Sequence, residues 1–113
     1  MIESDVVAIF AAWLSHQGWS VRTEVAFIDV IAERDGITLI GEAKGTTKEA
    51  GLDVDTGYGQ LLRRMGPEDD ARRYALVVPA SARKAAERVR REVRDMLKID
   101  VYIVADSGTV ELL

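Results

Sequence analysis

The chain contains no cysteine, which excludes disulfides, thiolate metal sites and cysteine nucleophiles. It contains one histidine, His16, so a histidine-rich zinc site is excluded as well. Any metal must therefore rest on oxygen ligands, the chemistry of magnesium or manganese. No segment approaches the roughly 20 apolar residues of a membrane span. The start Met1-Ile2-Glu3-Ser4-Asp5 lacks the basic opening of a signal peptide. A cytoplasmic location with no membrane partner is the expectation. The two prolines, Pro67 and Pro79, both stand where an element is expected to stop.

What is present is globular. A length of 113 residues, 48% hydrophobic and 30% charged, fits one domain over 1–113. A chain of this size buries roughly 65% of its unfolded surface, enough for a single two-layer core. The net charge of −4 is unevenly spread. Residues 1–62 carry 4 basic and 10 acidic side chains, whereas 63–113 carry 11 basic and 9 acidic ones. That asymmetry suits an acidic metal site beside a more basic surface.

Periodicity predicts a helix over 4–17, with Val6, Val7, Phe10, Trp13 and Leu14 inward, Ser4 as N-cap and Gly18 as stop. Strands are predicted over 19–25, 27–34 and 37–44, the last two joined by a type I′ turn at Asp35-Gly36. Residues 45–54 read as a loop. A second helix runs from Asp55 to Met65 with Leu61, Leu62 and Met65 inward. A buried strand over 73–78 precedes a third helix from Ser81 to about Lys98, striped with Ala82, Ala85, Ala86, Val89, Val93, Met96 and Leu97. Strands over 100–105 and 109–112 finish the chain. The order is α-β-β-β-α-β-α-β-β, an α/β fold with a mixed central sheet flanked by helices.

The hairpin register follows from its turn. With Asp35 and Gly36 at the tip, Arg34 faces Ile37 and Asp29 faces Glu42. Lys44 projects on the same side as Glu42, while Ile28, Val30, Ala32, Leu39, Gly41 and Ala43 line the opposite, core-like face. Two carboxylates directly across a ladder repel. A local rule broken inside an otherwise consistent pattern marks a candidate functional site. A divalent cation between the carboxylates reverses the repulsion, and an ammonium two residues on can orient the attacking water. Those are the parts needed to hydrolyse a phosphodiester. The alternative is a set of solvated polar residues on an exposed sheet face.

Asp29 followed by Glu42-Ala43-Lys44 after a short hairpin resembles the PD-(D/E)XK nuclease superfamily, whose restriction-endonuclease-like αβββαβ core corresponds to residues 4–78. The opening helix and the stretch from Trp19 to Lys44 look most like Holliday-junction resolvases and restriction-type members. Ile28 stands where the family often has proline. The resemblance implies Mg²⁺- or Mn²⁺-dependent cleavage of DNA, less often RNA. It implies Asp29, Glu42 and the Ala43 carbonyl as metal ligands, and Lys44 as the catalytic lysine. It also makes Glu3, at the start of the first helix, a further ligand candidate; the other reading of Glu3 is an acid favoured by the helix dipole. Glu24, ending the first strand, either approaches the metal or is simply exposed. Gln60 on the second helix is a catalytic candidate, because several branches of the superfamily aim a glutamine at the site from there. Thr46, Thr47, Arg63 and Arg64 are candidates for phosphate contacts.

The third helix carries a net +4 over 83–98, read mainly as a solvated face. His16 is expected to serve the dipole at its helix end. Besides a nuclease, two other classes stay open: a catalytically silent nuclease-fold module that binds nucleic acid or protein, and a small α/β interaction protein. A domain this small offers little surface for reading DNA, so a homodimer or a partner subunit is expected.

Overall fold

The first helix, α1 (Glu3–His16), forms because Val6, Val7, Phe10 and Leu14 recur at helical spacing, and all four are buried. The computed structural model describes residues 1–67 and 70–113. Ile2 rather than Ser4 holds the cap position of α1, without a side-chain hydrogen bond, so the helix starts earlier than expected. It ends at Gly18 as expected. The Gly18 N–H donates to the Ser15 carbonyl and the Trp19 N–H to the Leu14 carbonyl, each at 3.1 Å, which is a Schellman closure.

Among the described residues six strands follow: β1 (Ser20–Val25), β2 (Ile28–Arg34), β3 (Ile37–Ala43), β4 (Arg72–Pro79), β5 (Ile99–Val104) and β6 (Val110–Leu112). They form one sheet in sequence order. β1, β2 and β3 are antiparallel, β3, β4 and β5 are parallel, and β6 is antiparallel to β5. Helix α2 (Ala50–Arg64) makes the β3–β4 crossover. The protein is therefore an α/β fold with a six-stranded mixed sheet flanked by helices. Its apolar residues fall into two clusters. One joins α1 to Val30, Ala32, Leu39, Ala43, Ala75 and Val77. The other joins Val54, Tyr58 and Leu61 of α2 to Ile40, Leu76, Val78, Val101 and Ile103. No described helix is long and apolar enough to cross a membrane.

The β2–β3 register is the one the turn dictates, from Arg34 opposite Ile37 to Val30 opposite Gly41. Asp35 (φ +51°) and Gly36 (φ +79°) take the left-handed conformations of a type I′ turn. The regular pairing stops one step short of the expected Asp29–Glu42 pair. There the Asp29 carboxylate accepts the Ala43 N–H at 2.8 Å, in place of a backbone partner. On the neighbouring strand Glu24 is left-handed (φ +55°), between the pairs Thr23–Val30 and Val25–Ile28. Ile28, expected beside Val30, packs instead on the α2 side, beyond the point where the regular pairing with β3 ends.

Three further expectations are corrected. Phe27 is not in β2. It shares a two-residue turn with Ala26, both left-handed (φ +65° and +51°), a conformation costing a non-glycine residue about 1–2 kcal/mol. Helix α2 begins at Ala50 rather than Asp55, because the Thr47 hydroxyl accepts the Glu49 N–H at 3.0 Å and donates to Asp53, organising the preceding turn. Its inward stripe is Val54, Gly57, Tyr58 and Leu61, and Leu62 is exposed.

The third correction concerns the helix expected over 81–98. It is a 3₁₀ turn (Ala80–Ala82) followed by two short helices, α3 (Arg83–Ala86) and α4 (Arg91–Met96). At the break the Tyr58 hydroxyl donates to the Ala86 carbonyl at 2.8 Å, and the Arg94 Nε donates to the Val89 carbonyl at 3.0 Å. Side chains thus satisfy carbonyls that a continuous helix would bond itself. Arg94 is buried as a result, while Val93 and Met96 are exposed.

The start of α1 is pressed against the residue following Lys44. A Cβ at Gly45 would lie 2.6 Å from the Glu3 backbone nitrogen and 3.0 Å from the Met1 oxygen. These are backbone atoms, so Gly45→Ala must push the helix start away. A loss of about 1–3 kcal/mol is expected, read as a lower midpoint in urea unfolding. An unchanged midpoint would mean that α1 is not held there.

Candidate metal and active site

Alternation along β3 puts Leu39 and Ala43 toward α1 and Ile40 and Glu42 toward α2. Glu42 therefore lies beneath a helix and is only 2% exposed. A carboxylate in that position loses hydration and must find partners. It has two. The Asp29 carboxyl is close enough to act on it through charge and hydrogen bonding, and Arg64 Nε stands 3.6 Å from Glu42 Oε1. The second contact is an ion pair without hydrogen-bond geometry, and Oε1 accepts no hydrogen bond. Burial first, then the Asp29 charge and the shared hydrogen bond, push the Glu42 carboxyl up to about 7, against the opposing pull of Arg64 and Lys44.

Lys44 follows on β3, its N–H donating to the Val77 carbonyl at 2.9 Å. Its side chain runs across α2 at Gly57, where a Cβ would come within 3.5 Å of Lys44 Cε and 2.6 Å of Leu76 Cδ1. The missing side chain at Gly57 thus makes room for the lysine stem and lets the helix sit close. Asp53, Gly57, Gln60 and Arg64 fall on one stripe of α2 by their spacing. Since Gly57 meets Lys44 and Arg64 meets Glu42, Gln60 sits between them. Its Oε1 is buried and has no hydrogen-bond partner.

Glu3 approaches from the start of α1. Its carboxyl is raised above the usual range, by burial first and then by Asp29, with smaller contributions from Glu24 and Asp53 and a lowering by Lys44. Asp29, Glu24 and Asp53 thus lie near enough for their charges to act on Glu3, as Asp29 acts on Glu42. Asp53 escaped the sequence reading because it fell in the expected loop.

The structure brings together Asp29, Glu42, Lys44, Gln60 and Glu3, with Glu24 near enough to act on Glu3. It places the phosphate-contact candidates differently. Arg64 belongs to the carboxylate site, and its NH2 also donates to the Phe27 carbonyl at 3.0 Å. The Thr46 hydroxyl accepts from the Met1 nitrogen at 3.0 Å, and its N–H donates to the Met1 carbonyl at 2.7 Å. Thr47 is engaged with Asp53 and Glu49. Arg63 is exposed on α2.

The donor set suits a hard cation. It is all oxygen, includes two adjacent carboxylates, and leaves Glu42 Oε1 and Gln60 Oε1 buried without hydrogen-bond partners, lone pairs that a hard cation or its water can engage. Among the described residues no three Asp, Glu or His side chains form a ready-made cage. The Ala43 carbonyl leaves its strand on the same side as the N–H bonded to Asp29, so it can add a third oxygen. Magnesium commonly completes such partial sets with water and substrate oxygens.

No family model matches this sequence, and a comparison with curated proteins finds no match. Solved structures do resemble it. The crystal structure of an XisH family protein from Nostoc punctiforme PCC 73102 matches with a TM-score of 0.54 and 19% identity, over 100% of this chain and 99% of that one. The crystal structure of a fdxN element excision controlling factor protein from Anabaena variabilis matches with a TM-score of 0.54 and 19% identity, over 97% of this chain and 96% of that one. At this identity the likeness shows a shared fold over the whole chain.

Proposed function

We propose that the protein is a metal-dependent nuclease of the PD-(D/E)XK kind, hydrolysing phosphodiester bonds in DNA in preference to RNA, with Mg²⁺ or Mn²⁺ as cofactor. The observation that carries this reading is Glu42, a buried carboxyl beside Asp29 whose Oε1 accepts no hydrogen bond, in line with a lysine two residues on. A purely structural site has no evident reason to keep two repelling carboxylates under a helix.

In this reading Asp29, Glu42 and the Ala43 carbonyl hold the ion, with Glu3 or Glu24 as a further ligand. The ion supplies Lewis-acid polarisation of the phosphodiester and neutralises charge that develops on it. Lys44, its stem fixed against Gly57, orients the attacking water and stabilises the extra negative charge. Gln60 positions the phosphate or the water through its amide. Arg64 balances Glu42 when no ion is bound, and exposed Arg63 meets the nucleic-acid backbone. Thr46 and Thr47 must exchange their present partners to contact a phosphate. A homodimer or partner subunit extends the small binding surface.

The test is a cleavage panel of single-stranded, duplex, flapped and four-way DNA, with RNA alongside, in Mg²⁺ or Mn²⁺. Cleavage of at least one substrate that EDTA abolishes is expected. Failure on every substrate by a folded, ion-loaded protein contradicts the reading.

A second reading has an observation of its own. Arg64 already lies 3.6 Å from Glu42, which neutralises the carboxylate from within the protein. On that basis the fold binds nucleic acid without turnover, and binding without cleavage across the panel is its signature.

A further inference from the structure

Phe27 is 95% exposed and belongs to neither apolar cluster. It occupies a turn that two non-glycine residues hold in left-handed conformations, where Asn-Gly is the favoured pair. The strain of that turn is not offset by packing of the ring. Strain retained without a packing reason points to function.

The position of the tip suggests what that function is. Val25 and Ile28 pair beneath it, so the turn is closed and its place is fixed. The Phe27 carbonyl accepts a hydrogen bond from Arg64 at 3.0 Å, and the same guanidinium stands 3.6 Å from Glu42. Asp29 is two residues along the strand. One arginine therefore ties the backbone of the hairpin tip to the carboxylate site, and that tip carries an exposed aromatic ring.

We propose that Phe27 is a base-stacking residue that takes an unpaired nucleobase beside the Asp29–Glu42 pair, directing the protein to DNA with unstacked bases. The inference rests on the nuclease reading and narrows its substrate class. Every base offers a π face, and one ring is enough to receive it. A second copy of the chain is a poorer occupant. A stable protein interface buries about 800 Å² on each partner, whereas one aromatic side chain buries about 150–250 Å². In a continuous duplex the bases are already stacked on each other, so the ring gains nothing there.

The experiment is a binding titration in EDTA, using single-stranded and flapped DNA carrying 2-aminopurine, and a blunt duplex of the same sequence. Wild type, Phe27→Ala and Phe27→Trp are compared, with circular dichroism to verify folding. Wild type should quench 2-aminopurine by stacking. Phe27→Ala should bind single-stranded and flapped DNA about 10–100-fold more weakly and lose the quench. It should bind the duplex unchanged, and Phe27→Trp should retain both properties. Equal binding of flapped DNA by folded Phe27→Ala and wild type overturns the stacking role and leaves the carboxylate site untouched. Absence of all DNA binding by wild type overturns it as well, while the cleavage panel reports separately on the nuclease reading. If sedimentation shows that Phe27→Ala instead dissolves a dimer, the ring is a self-contact and the proposal fails.

Discussion

Asp29→Asn and Glu42→Gln are each expected to reduce phosphodiester cleavage by at least about 10³-fold, because each removes a charge that holds the ion supplying most of the transition-state stabilisation. Neither is expected to unfold the protein. Asp29 retains an acceptor oxygen in asparagine for the Ala43 N–H, which it now meets at 2.8 Å. Glutamine at 42 fits the same space without the charge. Lys44→Ala should lose about 10²-fold or more of the rate while still binding Mn²⁺, since the ammonium is not a ligand. Gln60→Ala should show a smaller loss, as befits a positioning group. Steady-state cleavage rates, set beside urea midpoints for the same preparations, make the comparison. Variants that unfold, or that cleave as wild type does, would make these residues structural.

The second large effect is on stability against pH in the ion-free protein. Glu42 is held up to about 7 in the fold, against an ordinary value of 4.5, by burial and by Asp29. Between those values the folded chain binds a proton that the unfolded chain has released, so stability falls as pH rises. The contribution is fully present below about pH 4.5 and is lost as pH passes through about 7. Its size is on the order of 3–4 kcal/mol, at about 1.4 kcal/mol for each pH unit of displacement. Urea unfolding in EDTA at pH 5 and pH 8 should show the drop. Glu42→Gln should flatten it and be the more stable protein at pH 8. Excess Mg²⁺ should restore wild-type stability at pH 8, since an ion bound only to the fold stabilises it. A wild type and a Glu42→Gln with parallel pH profiles would mean that the carboxyl is not strained.

Where the chain carries its own instructions, the structure was legible from sequence. Asp35-Gly36 accepts left-handed backbone easily, so it fixed the β2–β3 turn, the register and hence the faces of Glu42 and Lys44. The periodicity of α1 and its Gly18 stop were equally local. What was missed depends on distant partners. Ala26-Phe27 has no turn chemistry, yet it is held left-handed at a tip that Arg64 fastens. The start of α2 hid behind Gly51, a poor helix former in the stretch read as a loop, and is organised by the Thr47–Asp53 contact. The break after α3 relies on Tyr58, 28 residues away from the Ala86 carbonyl it satisfies. In the site itself, the Asp29, Glu42 and Lys44 grouping follows from strand parity. Arg64 was read as a phosphate contact because its pairing with Glu42 is created only when α2 docks on the sheet.

The central claim is that Asp29 and Glu42 hold a divalent cation, and calorimetric titration with Mn²⁺ at pH 8 tests it most directly. The account predicts saturable binding in wild type, retained in Lys44→Ala and abolished in Asp29→Ala, with both variants folded. Equal Mn²⁺ binding by wild type and Asp29→Ala, or no binding by wild type, would contradict it.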